Sequence, residues 1–115
     1  MENIYYSPEL FGLELIDELS DGNAGSGFDI LVVLRHKDSG RLFWGRDEGC
    51  SCPSPFENSW FHGPDSTDLR EVTRASWEAF EAEVGAFPTE MSFRNSMLDK
   101  ARKACHEFQV CGSRC

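Results

Sequence analysis

The sequence contains no apolar run approaching the roughly 18 residues that cross a bilayer as a helix, so it offers no membrane-spanning segment. Its opening, Met1-Glu2-Asn3-Ile4-Tyr5-Tyr6, has neither a basic cluster nor a continuous apolar stretch, and reads as lacking a secretory signal. The expected compartment is a reducing cytoplasm, where structural disulfides are rare. Basic charge is scarce: 11 Lys and Arg stand against 20 Asp and Glu, a formal net charge of −9. So acidic a chain repels a phosphate backbone, which disfavours direct nucleic-acid binding. There is no His-Glu-x-x-His, no Gly-x-Ser-x-Gly elbow, and no phosphate-cradling glycine loop ahead of a helix. The histidines are His36, His62 and His106, and no spacing brings one beside a cysteine nucleophile as a general base. Paired acids such as Asp17-Glu18 and Asp47-Glu48 read as solvated faces. The chain is therefore read as not an enzyme.

What is present describes one folded unit. At 115 residues and 40% hydrophobic, with nine Phe and three Trp, the chain is long enough to bury a core as a single domain over 1–115. The negative charge is uneven: residues 1–60 carry eleven acids against four bases, and residues 61–115 nine against seven. The acidic front half suits a basic protein partner or serves solubility.

Leu13 to Leu19 alternates apolar and acidic residues, the period of a strand with one wet face. Ser20 to Gly27 is a small-residue turn cluster. Phe28 to Arg35 is nearly continuous in apolar character and reads as a central strand covered on both faces. Lys37-Asp38-Ser39-Gly40 supplies hairpin chemistry, with Gly40 taking the left-handed position, and Arg41 to Arg46 returns as a third strand. The spans expected are 13–19, 28–36 and 41–47, an antiparallel meander. Residues 48–66 hold Pro53, Pro55 and Pro64 and read as an irregular loop. It is apolar enough to wrap over the sheet with Phe56, Trp60 and Phe61 as plugs. Two helices follow, over 67–84 and 89–109. Ser66 or Thr67 caps the first, whose stripe is Leu69, Val72, Trp77, Phe80 and Val84; Gly85 and Pro88 end it. Thr89 caps the second, with a stripe of Phe93, Met97, Ala101, Ala104/Cys105 and Phe108 and a stop at Gly112. Strands first and helices afterwards predict an α+β fold with the helices packed on one face of the sheet.

The least generic stretch is Gly49-Cys50-Ser51-Cys52-Pro53-Ser54-Pro55-Phe56-Glu57. Cys50 and Cys52 could contribute two ligands to a zinc ion, with Cys105, His106, Cys111 or Cys115 completing a tetrahedral set. Against this, neither half has the Cys-x2–4-Cys spacing of a structural zinc knuckle, and Cys105 lies on an apolar stripe where a thiol behaves as a small hydrophobe. A redox pair would need Cys-x-x-Cys at a helix N-terminus, whereas Pro-Ser-Pro follows here. The remaining reading is a scaffold loop stiffened by its prolines. The aromatics that follow, Phe56, Trp60 and Phe61, are the candidate partner-binding residues, although they could equally cap the core.

Tyr5-Tyr6-Ser7-Pro8-Glu9, Phe11-Gly12-Leu13-Glu14, the strand from Phe28 to Leu34, and above all the Cys-Ser-Cys-Pro-Ser-Pro-Phe motif resemble a family of small proteins encoded by tailed bacteriophages of actinobacteria, mycobacteriophages in particular. The likeness is clearest over residues 4–60 and carries no functional residues with it. It implies a phage product made in the cytoplasm of the infected host, where small proteins of this kind bind and redirect host machinery. The function expected is a small acidic, non-enzymatic accessory protein that binds a host or phage protein. A zinc-stabilised domain using Cys50, Cys52, Cys105 and Cys111 is the first alternative, and an acidic mimic of DNA the second.

Overall fold

A computed structural model describes residues 3–21, 27–50 and 55–105. Four antiparallel strands form one sheet in sequential order: β1 (Leu13–Ser20), β2 (Gly27–His36), β3 (Leu42–Cys50) and β4 (Arg70–Val72). Two helices follow, α1 (Trp77–Ala86) and α2 (Met91–Ala104), so the fold is α+β. The expected meander is there, with a fourth strand added at its far edge.

β2 pairs with β1 on one side and β3 on the other, and its alternating side chains feed two separate apolar layers. Leu31 and Val33 point to the helices, joined by Leu42, Trp44, Val72, Trp77, Phe80, Val84, Met97 and Ala101. Ile30, Val32 and Leu34 point the other way, to Leu13, Phe43, Ile4, Phe56, Phe61 and Leu69. This explains the strand's unbroken apolar run: a strand covered on both faces gains from burial at every position. At the β2–β3 turn, Gly40 adopts φ 75° and donates its N–H to the His36 carbonyl at 2.8 Å. Few residues but glycine take that backbone conformation without cost.

β1 changes face midway. Leu15 pairs with Leu34 but Asp17 pairs with Val33, so Ile16 is an extra residue, a β-bulge. Before the bulge Leu13 joins the layer away from the helices; after it Leu19 joins the helix layer, with Ile16 packed against it.

The helix expected from residue 67 begins instead at Trp77. Residues Arg70 to Val72 are strand, bonded to β3 across Leu42–Trp44. The turn between them is knotted by Ser76, whose Oγ accepts from the Thr73 N–H at 2.8 Å and donates to the Glu71 carbonyl at 2.8 Å. Ser66 and Thr67 therefore cap no helix. The residue ahead of α2 is Glu90 rather than Thr89, while the Thr89 carbonyl accepts a hydrogen bond from Arg94. Met97 and Ala101 occupy the buried stripe as expected, but Phe93 is 55% exposed. Phe108 and Gly112 lie outside the described residues, as does most of the cluster from Ser20 to Gly27.

Candidate functional site

β4 is only three residues long, and this decides where the molecule is concave. β3 continues past Trp44 to Cys50, but the chain that precedes β4 turns away instead of running alongside it. The gap holds a cavity of about 400 Å³ that reaches round the sheet edge, with Trp44 and Arg46 on one side, Gly45 and Phe56 on the other, and Leu69, Arg70 and Glu83 closing it. That volume is within the range of small-molecule and side-chain pockets.

Each wall has a local cause. Gly45 lies on the face away from the helices, where a Cβ would stand 2.8 Å from Leu69 Cδ2 and 3.2 Å from Phe56 Cε1. Its lack of a side chain lets both residues close over β3. Phe56 holds a left-handed backbone, φ 61°, unusual for a bulky residue. Its N–H donates to Asp47 Oδ2 at 2.7 Å, and its ring is stacked on Tyr5 with centroids 5.9 Å apart. Asn3, itself buried, accepts from the Tyr5 and Tyr6 N–H groups at 2.9 and 2.8 Å and donates to the Pro55 carbonyl. The N-terminal segment thus fixes the returning end of the proline loop. On the helix side, Arg46 makes a bidentate bond to buried Asp29, at 2.9 and 2.7 Å, and reaches Glu83 of α1 at 3.0 Å. Its guanidinium lies over the Phe87 ring, 4.9 Å from the centroid. The bonds to Asp29 hold its pKa above the usual guanidinium range. Arg70 at the mouth covers the Trp44 ring at 5.7 Å; among the described residues it has no carboxylate partner.

Residues 60–68 form a tight hairpin beside this cavity, bridged at Phe61 and Thr67. Thr67 Oγ1 donates to the Trp60 carbonyl at 2.7 Å, the Trp60 N–H donates to Asp68 Oδ1 at 3.1 Å, and the His62 N–H donates to the Ser66 carbonyl at 2.8 Å. Arg41 ties the hairpin's tip to the sheet, bonding Glu71 twice, Asp65, and the Pro64 carbonyl. Of the three aromatics singled out from sequence, Phe56 and Phe61 are core side chains, 1% and 4% exposed, and of these two Phe56 also lines the cavity. Trp60 is 42% exposed, its ring tilted against His62 at 5.5 Å. It is not a plug. Ser59 and Asp68, which flank it, line the cavity.

The cysteines are not brought to one place. Cys105 is buried beside β4, its thiol donating to the Val72 carbonyl at 3.6 Å. Val72 pairs with Leu42, at the opposite end of β3 from Cys50. Eight residue steps of about 3.3 Å put about 26 Å between Leu42 and Cys50, whereas each thiolate on a zinc ion lies about 2.3 Å from it. The backbone therefore sets Cys50 and Cys105 at opposite ends of β3. Cys52, Cys111, Cys115 and His106 lie outside the described residues, and among those described no group of three or more His, Cys, Asp or Glu could hold a metal ion.

The model of a domain of unknown function, DUF7574, matches residues 2–104. The chain belongs to the DUF7574 family. That match spans the sheet and both helices, so the cavity and the Trp60 hairpin are parts of the family's own domain. No curated protein and no solved structure matches the chain. No helix of the described residues is long and apolar enough to cross a membrane.

Proposed function

We propose that this DUF7574 protein is a small acidic, non-enzymatic binding protein that recognises another protein, host or phage, through the Trp60 hairpin and the cavity beside it. The observation that carries the reading is Trp60 itself. An indole left 42% exposed on a hairpin fixed by hydrogen bonds on both sides is an anchor that loses little entropy on binding. The neighbouring cavity, floored by Trp44, Phe56 and Leu69 with Arg70 at its mouth, suits an apolar side chain from the partner with a carboxylate close by. The phage context rests on the loop motif, and with it the cytoplasm of the infected host as the place of action.

The acids are poorly arranged for imitating DNA. Glu14, Asp17, Asp29, Glu71 and Glu83 are each engaged by an arginine or lysine, and the acids of β1 divide between faces. The test is affinity capture from host lysate with the wild-type chain, Trp60→Ala and Arg70→Glu. A protein recovered by wild type and lost from both variants is the expected result. Recovery of the same proteins by all three, or of none at low salt, removes the reading.

A further inference from the structure

β1 is the other edge of the sheet, and no described strand covers its outer side. Antiparallel pairing makes successive residues point their backbone groups alternately inward and outward. The phase is set by two bonds to β2 and its flank: Lys37 N–H to the Gly12 carbonyl at 2.9 Å and Asp21 N–H to the Asp29 carbonyl at 3.0 Å. With Ile16 bulged out of register, Glu14, Asp17 and Leu19 bond inward to β2. The N–H and C=O groups of Glu18 and Ser20 therefore point outward.

These two residues border a groove of about 230 Å³ closed by Leu19, Thr89 and Phe93. Phe93, in the first turn of α2, is 55% exposed and gives the groove an apolar wall. The charge around the groove is negative. Asp17 is engaged by Lys100, but Glu18 has only the neutral Tyr5 hydroxyl at 2.7 Å, and neither Glu18 nor Glu90 has an ion pair among the described residues. Arg94 is engaged by the Phe87 and Thr89 carbonyls.

We propose that the outer edge of β1 at Glu18–Ser20 is a strand-addition site for an extended basic segment of a partner protein. The backbone of that segment bonds to Glu18 and Ser20, one apolar side chain fills the groove against Phe93, and alternate Lys or Arg side chains meet Glu18 and Glu90. A second copy of this chain is disfavoured, because self-pairing would lay the acids of two β1 strands side by side. The site is separate from the Trp60 hairpin at the opposite edge of the sheet.

The test uses a short peptide of alternating lysine and valine, titrated into the intact chain and followed by amide NMR shifts and hydrogen exchange. The expected result is slowed exchange at the Glu18 and Ser20 amides, with affinity that falls as salt rises. Ser20→Pro removes an outward donor without touching a bond to β2, and binding should weaken by about tenfold or more. Phe93→Lys, at an exposed position that cannot unfold the chain by cavity formation, should weaken it comparably. An alternating glutamate–valine peptide should not bind. Unchanged binding in Ser20→Pro and Phe93→Lys, shifts confined to residues elsewhere, or a chain that dimerises through β1 in the absence of peptide would each overturn the proposal.

Discussion

The two faces of the sheet are covered by different means. On one, α1 and α2 lay down Trp77, Phe80, Val84, Met97 and Ala101 at helical spacing, and ion pairs from Arg46 to Glu83 and from Lys100 to Asp17 add to that burial. On the other, the cover is irregular chain: residues 3–7, the returning end of the proline loop, and the Phe61–Leu69 segment. Irregular chain has no internal hydrogen-bond ladder, so each piece is pinned by a particular contact. Asn3 holds two N–H groups, Asp47 holds the Phe56 N–H, Arg41 clamps the hairpin tip, and Gly45 leaves room for Phe56 and Leu69. The helix face is thus tolerant in detail and expensive to breach. The other face depends on a few unlike residues, and it is the face from which Trp60 emerges.

That contrast can be broken at graded cost. Phe80→Ala, at a fully buried position between Trp44 and Trp77, should cost about 3–5 kcal/mol in chemical denaturation. Asp29→Ala should cost about 3 kcal/mol, because it strips Arg46 of its bidentate partner near the helix layer while Glu83 remains. Gly45→Ala should cost about 1–3 kcal/mol by forcing Leu69 and Phe56 outward. Its diagnostic mark is locality: amide shifts should concentrate at 55–69 and leave α1 and α2 unmoved. In alkali the same face should yield first. Burial and the bond to Glu18 raise the Tyr5 phenol above its ordinary value near 10. The folded state therefore favours the protonated form, and its contribution is intact below about pH 10 and lost as pH rises toward the folded value. Tyr5→Phe should flatten stability against pH above 10 in a series of denaturant melts. Smallest of all, Trp60→Ala should change stability by less than about 0.5 kcal/mol while removing the captured partner.

The sequence's legibility follows the same division. The central strand, the Gly40 hairpin and the stripes at Trp77–Val84 and Met97–Ala101 were readable because period and turn chemistry agree there. β4 was not, since Leu69 and Val72 are three apart and imitate the opening of a helix. The five-residue step from Val72 to Trp77 breaks helical period, and Thr73 with Ser76 supplies a turn knot just before the true start. Those were the signals available. The bulge in β1 had one too: Leu15 and Ile16 are adjacent apolar residues in a pattern that otherwise alternates with acids. The cavity had none. It exists because β4 is shorter than β3, and strand length at a sheet edge is set by where distant chain segments diverge. The aromatics were legible as a group but not individually. Which of Phe56, Trp60 and Phe61 stays outside depends on the hairpin bridge between Phe61 and Thr67, a pairing no local pattern announces.

Trp60 stands on a scaffold fixed by hydrogen bonds at both ends of the hairpin. Native-state hydrogen exchange at the Trp60, His62 and Leu69 amides measures this directly, because each N–H has a bonding partner within the hairpin. Exchange slower than that of unstructured chain at all three, and faster in Gly45→Ala, is the predicted result. Exchange at the unstructured rate in the wild-type chain would mean that the hairpin is loose and that Trp60 is no prepared anchor.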